Sequence, residues 1–156
     1  MEKKIWIGSD HAGFDLKEFL KTYLETRSYV IEDMGTHAPQ SVHYPIYGFA
    51  VAKAIVENTN AEQRLRPCGI LVCGSGVGVS IAANRVRGIR AVLALREDVA
   101  RLSREHNASN VLCLGARLLD GEEARRIVDA WLVSDFEGGR HEDRVNLLDE
   151  IPDSGV

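Results

Sequence analysis

The chain has 156 residues, 45% hydrophobic and 27% charged, with a formal net charge of −4. That length suits one domain spanning 1–156, and the mild acidity argues against a nucleic-acid partner, which asks for a basic face. No apolar run approaches the ~18 residues of a membrane span; the start is charged and broken at Gly8-Ser9-Asp10-His11, so neither export nor a membrane partner is expected, and the location expected is cytoplasmic.

In chain order the elements alternate between strand and helix. Residues 3–8 form a short apolar run stopped by Gly-Ser-Asp-His, as a buried parallel strand does. Residues 15–26 carry Leu16, Phe19, Leu20, Tyr23 and Leu24, the stripe of an amphipathic helix. A brief strand at 30–31 ends in Asp33-Met34-Gly35, and a helix over 45–58 opens on Pro45. Residues 59–67 are polar and aperiodic, an exposed loop or a fraying extension of that helix. The clearest central strand is 69–73, followed by Gly74-Ser75-Gly76-Val77-Gly78 and a helix to about 86. A strand at 91–95, a helix at 98–105, a turn at 106–110 and a strand at 111–114 come next. Asp120 caps a helix running to about 133, with acids in its first turn. Gly138-Gly139 precedes a last helix near 143–150.

Five strands separated by helices predict an α/β fold. It is a doubly wound three-layer αβα sandwich on a Rossmann-like five-stranded parallel sheet, because parallel neighbours need crossovers. Ligands in such folds sit at the carboxyl ends of strands. That rule selects residues 9–13, 73–78, 96–97 and 115–117.

The loop 74–78 stands between strand and helix. Its glycines let backbone N–H groups converge, and the helix N-terminus favours an anion; a tight turn needing small residues is the plainer alternative. It is not a P-loop, since no Gly-Lys-Ser/Thr follows, and its spacing is not the dinucleotide fingerprint. Cys73 directly precedes it. A thiol beside a helix N-terminus favours the thiolate and can serve as nucleophile or carbon-acid base; a core filler is the alternative. Cys68 and Cys113 are expected as reduced thiols. No histidines pair at H-x-x-x-H spacing, so no metal is expected. Asp10-His11 and His106-Asn107 are expected at strand ends. Arg140 and Arg144, one helical turn apart and joined by Arg117, can grip a phosphate; a solvated charged surface is the alternative.

The chain resembles the ribose-5-phosphate isomerase B family, in the group that also holds galactose-6-phosphate and allose-6-phosphate isomerases. The resemblance is carried by Gly8-Ser9-Asp10-His11-Ala12-Gly13-Phe14, by Tyr44-Pro45, and by Cys73-Gly74-Ser75-Gly76-Val77-Gly78 with the following Val79-Ser80-Ile81-Ala82-Ala83-Asn84-Arg85. Gly88-Ile89-Arg90-Ala91, Ser103-Arg104-Glu105-His106-Asn107 and Glu137-Gly138-Gly139-Arg140-His141 complete it. It implies a cofactor-free aldose-ketose isomerase of sugar phosphates, built as a homodimer, with a tetramer as the alternative. It implies Cys73 as base, Ser75 as a catalytic hydroxyl where threonine is frequent, and His106 as the ring-opening group. Gly74, Gly76, Val77 and Gly78 match the anion hole, and Asp10, His11 and Asn107 the sugar contacts. Arg117, Arg140 and Arg144 match the phosphate clamp, which in the family reaches into the partner's site. His43 stands where the family often has Asp, and 60–67 reads as a surface insertion. The substrate expected is ribose 5-phosphate and ribulose 5-phosphate, with a six-carbon sugar phosphate as the alternative. A non-catalytic sugar-phosphate binding module would not need Cys73 or His106; a thiol enzyme would form a covalent adduct at Cys73.

Overall fold

The computed structural model describes residues 3–60, 63–66 and 68–150. The strands are β1 (Lys4–Ser9), β2 (Val30–Asp33), β3 (Gly69–Cys73), β4 (Ala91–Leu93) and β5 (Val111–Gly115); the helices are α1 (Phe14–Thr26), α2 (Tyr44–Asn58), α3 (Val77–Asn84), α4 (Glu97–Asn107), α5 (Gly121–Val133) and α6 (Arg140–Asp149). All neighbouring strands pair in parallel, in the order β2-β1-β3-β5-β4. The expected fold class holds. Among the described residues no helix is long and apolar enough to cross a membrane.

Strand periodicity sorts the core into two layers. Ile70, Val72, Leu112 and Leu114 face α1, α4 and α5, where Leu20, Ile127 and Trp131 are buried. Leu71, Cys73, Val111 and Cys113 face α2 and α3, against Val51, Ile55, Val79 and Ala83. β3 and β5 are buried at every residue, which is why they read as unbroken apolar runs. The alternation also aims the Cys73 side chain at the α3 layer, beneath the loop that starts α3. From β1 the chain turns one way to β2 and then crosses to β3, so β1 and β3 flank a topological switch point, where crevices open.

Several predicted boundaries shift. β4 stops at Leu93, two residues early. Asp120 caps α5 as expected, with a reciprocal box: the Glu123 N–H donates to Asp120 Oδ1 at 2.8 Å and the Asp120 N–H to Glu123 Oε2 at 2.9 Å. α6 starts at Arg140 rather than 143, because Gly138 and Gly139 take positive φ (66° and 57°) and the His141 N–H donates to the Gly138 carbonyl. His106 and Asn107 belong to the last turn of α4, not to a turn after it; the reversal comes one residue later, at left-handed Ala108 (φ 47°). The exposed loop predicted at 59–67 includes a single 3-10 turn, Gln63–Leu65, and residues 61, 62 and 67 of it lie outside those described.

Candidate active site

The carboxyl ends of β1, β3 and β5 form one crevice. Ser9 stands opposite Val72, and the Asp10 N–H donates to the Val72 carbonyl at 3.2 Å, which sets Asp10 beside Cys73. The Gly76 N–H donates to Cys73 Sγ at 3.2 Å. That bond needs Gly76 in the left-handed region, φ 78°, where a Cβ would stand 2.5 Å from Leu93 Cδ1. The Ala116 N–H donates to the Cys73 carbonyl at 2.9 Å and the Arg117 N–H to the Gly74 carbonyl at 3.0 Å. The guanidinium of Arg117 lies over Gly74, close enough that a Cβ there would be 3.1 Å from Nη1. The Ser75 Oγ accepts from the Val77 N–H at 3.3 Å and remains exposed.

Asp10 is buried and its Oδ1 accepts from the Gly13 N–H at 3.0 Å, closing the turn into α1. His11 Nδ1 accepts from the Val42 N–H at 3.2 Å, so a neutral His11 carries its proton on Nε2. A cavity of about 290 Å³ opens here, lined by Asp10, Cys73, Gly74, Ser75 and Arg117 together with Tyr44, Gly78 and Leu118. Tyr44 and Leu118 were not among the expected site residues. The Tyr44 ring lies over Gly78, where a Cβ would be 2.7 Å away; the signal for it was an aromatic directly before a helix-opening proline. His43, by contrast, is exposed and outside this lining. Of the four segments selected, 96–97 does not join the crevice: Arg96 pairs with Asp98, and Glu97 accepts from Arg126 at 3.1 Å.

The remaining expected residues stand elsewhere. In a parallel sheet a crossover helix runs back, so α4 starts at the carboxyl edge and ends at the amino edge. Asn110, just beyond it, accepts at its carbonyl from the Cys68 N–H at 3.0 Å, whereas Cys73 pairs with Gly115. His106 and Asn107 are therefore at the opposite edge of the sheet from Cys73, displaced by about 13 Å of strand rise. This corrects the expectation that they share the ligand edge. Arg140 and Arg144 are with them, exposed on the first turns of α6. Residues 134–139 tie α6 to this end of α4 through the Glu137 N–H, which donates to the Glu105 carbonyl at 3.0 Å.

His106 stacks on His141 with ring centroids 4.4 Å apart and planes within 8°. Glu137 Oε2 stands 3.9 Å from His106 Nε2 and 3.6 Å from His141 Nε2. His141 is held below the usual imidazole range by burial, then by the charges of His106 and Arg140; Glu137 opposes them. The three donor atoms lie within 4.8 Å of one another, and the charges of Arg140 and Arg144 disfavour a further positive charge at His141. A larger cavity of about 570 Å³ also opens at this edge, between Arg85, Arg90, Ser103, Asn107 and Leu148. It holds neither the thiol nor the glycine loop, and Arg90 within it is bound to Asp149 at 2.9 Å.

A family model described as Ribose/Galactose Isomerase matches residues 5–148. Ribose-5-phosphate isomerase B of Escherichia coli is 44% identical, with 96% of each chain covered. A ribose 5-phosphate isomerase structure from Thermotoga maritima superposes with a TM-score of 0.89 at 48% identity, covering 97% of this chain and 100% of the other. Ribose-5-phosphate isomerase B from Mycoplasma genitalium, solved with bound ribulose-5-phosphate, superposes with a TM-score of 0.87 at 39% identity over 94% and 93%. With its five-stranded parallel sheet and its cysteine set under a glycine loop, the chain belongs to the ribose/galactose isomerase family.

Proposed function

We propose that the chain interconverts ribose 5-phosphate and ribulose 5-phosphate as an aldose-ketose isomerase, with Cys73 as the base. The observation that carries this reading is the Gly76 N–H on Cys73 Sγ, at the wall of a crevice that also holds Asp10, Ser75 and Arg117. The thiolate of Cys73 removes the proton on C2; the C–H electron pair becomes the C1–C2 double bond, and O1 gains charge. Loop N–H groups between Gly74 and Gly78 hold that oxygen, and one such donor contributes about 3–4 kcal/mol where it meets developing charge. The proton returns to C1 while the hydroxyl proton on O2 passes to O1, a transfer assigned to the Ser75 hydroxyl on the cavity wall. Asp10, His11 and Asn107 bind hydroxyls, His106 opens the ring, and Arg117, Arg140 and Arg144 hold the phosphate.

The site is shared between two copies. Cys73, Asp10 and Arg117 stand at one edge of the sheet and His106, Asn107, Arg140 and Arg144 at the other, so one subunit does not bring them together. A two-fold dimer that sets the carboxyl edge of each subunit on the amino edge of its partner makes two complete sites. Ile46, Val77 and Ile81, exposed on α2 and α3, supply apolar surface for that contact.

A five-carbon substrate is favoured by the relative that holds ribulose-5-phosphate and by His43, which lies outside the cavity lining. The test is Cys73→Ala. Turnover falls by at least ~10²-fold, and solvent deuterium no longer enters the substrate. Undiminished turnover, or a substrate adduct on Cys73 in the mass spectrum, overturns the assignment.

A further inference from the structure

The reaction as proposed uses His106 and leaves unexplained why a second imidazole and a carboxylate stand against it. His141 is buried 4.4 Å from His106, ring on ring. Glu137 is half exposed and offers the same oxygen to both Nε2 atoms. Two imidazoles at stacking distance repel when both are charged, so an added proton on one ring keeps a second off the other. The groups around the pair decide where that proton sits. From α6, Arg140 and Arg144 oppose a charge on His141; from residues 134–139, Glu137 favours one; from α4, His106 itself opposes one. Burial also disfavours charge on His141, whereas His106 has 38% of its side chain exposed.

We propose that Glu137 and His141 are positioning residues for ring opening: Glu137 balances an imidazolium on His106, and neutral His141 backs its ring, so the proton of the pair stands on His106. This rests on the reading of His106 as the ring-opening group. The imidazolium gives its proton to the ring oxygen of the closed aldose. The bond from C1 to that oxygen breaks with its electron pair staying on oxygen, and the O1 hydroxyl proton passes to water as C1=O forms. A carboxylate at this distance stabilises the charged imidazole without removing its proton, and a neutral ring beneath adds support without competing charge.

The test uses the difference between the two substrates. Ribulose 5-phosphate has its ketone at C2 and its C5 oxygen esterified, so no hydroxyl closes a five- or six-membered ring. A defect in ring opening therefore lowers kcat from ribose 5-phosphate and spares kcat from ribulose 5-phosphate. In the dimeric enzyme, Glu137→Gln is expected to lower the aldose kcat by roughly five- to tenfold at pH 7.5 and to leave the ketose kcat within about twofold. The basic limb of its aldose kcat profile moves to lower pH, because the stabilising charge is gone. His141→Phe keeps a stacked ring and removes the second titrating group, so its basic limb moves up instead. Shifts of opposite sign are what a merely structural role does not produce. Glu137 is on the surface, so its variant carries the test alone if His141→Phe does not fold. Equal losses in both directions, or an unmoved limb in Glu137→Gln, overturn the proposal. His106→Ala separates it from the reading beneath it. If that variant changes the aldose-to-ketose kcat ratio while Glu137→Gln does not, only the positioning role fails; if it leaves the ratio unchanged, His106 does not open the ring.

Discussion

The two halves of the site are built from different materials. At the carboxyl edge the groups are held by backbone: Gly76 N–H on the Cys73 sulfur, Ala116 and Arg117 N–H on the carbonyls of Cys73 and Gly74, Asp10 closing its own turn. Strand register fixes these positions inside one subunit, with little freedom left to lose on binding. At the amino edge the groups are long side chains, Arg140 and Arg144, on the exposed start of a short helix. Such side chains give up rotamer entropy when they grip a ligand, and they have no floor until another surface meets them. Under the proposed function, proton transfer at carbon falls to the rigid half, with Arg117 beside it, and the ring-opening imidazole and the other two phosphate arginines fall to the adaptable half. This division is expected where proton transfer depends on near-contact geometry and phosphate holding does not.

The largest effect should come from disturbing the rigid half without touching a reacting group. Gly76→Val places a β-branched residue at φ 78° and drives its Cβ to 2.5 Å from Leu93 Cδ1 and 2.9 Å from the Leu114 carbonyl carbon. The N–H on Cys73 then swings away. We expect kcat to fall by about 10²-fold or more, because the base loses the donor that holds its sulfur, with KM changed by less than about threefold. Arg144→Ala should do the reverse, raising KM with kcat nearly kept. Steady-state kinetics on both variants decide it. A Gly76→Val enzyme impaired mainly in KM would dissolve the contrast.

Separation of the halves makes a second expectation. Cys73→Ala disables one edge and Arg140→Ala the other. When the two inactive proteins are unfolded, mixed in equal amounts and refolded, half the dimers are hybrids, and each has one intact site of two. Activity should return to about a quarter of the wild-type value. Verified hybrids that stay inactive would place both halves of each site within one subunit.

Much of this was legible beforehand, and the part that was not has a physical reason. β3 and β5 are covered on both faces, so their apolar runs announce them. Cys73 and the loop after it are local in sequence, and a strand-loop-helix junction has one geometry. Strand order is not local: β5 inserts between β3 and β4, and nothing in a stretch of five residues says which neighbour it chooses. The placing of His106 and Asn107 failed for another reason. Ending α4 at residue 105 turned them into a loop, and a loop between elements reads as a ligand edge. The direction of a βαβ crossover already put the end of α4 at the amino edge. Glu137 was hidden because one of three acids, with Glu142 and Asp143, around Arg140, His141 and Arg144 looks like surface charge until the fold stacks His106 over His141.

The rigidity of the carboxyl edge extends to its buried ion pairs. Lys17 has no exposed side-chain surface; its Nζ donates to Asp33 Oδ2 at 2.6 Å, and Lys21 does so at 2.5 Å. The Gly35 N–H donates to Asp33 Oδ1 at 2.9 Å, and the Gly35 carbonyl accepts from the Ser9 N–H, next to Asp10. Burial by itself would raise the Asp33 pKa, but hydrogen bonds from Lys17, Lys21 and Gly35 outweigh it and hold the carboxyl below its usual range. A depressed carboxylate stabilises fully above its unfolded value, about pH 4, and that contribution is lost as pH falls through the folded value. Asp33→Asn should therefore destabilise the fold at neutral pH by about 1–2 kcal/mol, less than a fully stranded charge because buried Lys17 keeps Glu18 Oε1 at 2.7 Å, and its urea midpoint should depend less on pH below 4 than the wild type's. An equal acid slope in both proteins would remove Asp33 from the account.

The smallest expected effect concerns substrate choice, and it asks whether the rigid half ends at Tyr44 or reaches one residue further. Tyr44 covers Gly78 and lines the cavity, whereas His43 caps the start of α2 with its backbone, makes no side-chain cap bond and is exposed. A pocket discriminates one added carbon unit by roughly 1–3 kcal/mol unless it reads a hydroxyl directly. An imidazole that donates would read such a hydroxyl differently from a carboxylate that only accepts. From its position His43 reads neither. His43→Asp should hold the ratio of kcat/KM for ribose 5-phosphate over allose 6-phosphate within about threefold of wild type, below ~1 kcal/mol. A tenfold change would mean that His43 reaches the sugar in the assembled enzyme, and the specificity of the rigid half would then depend on a partner subunit, as the phosphate grip does under the proposed shared site.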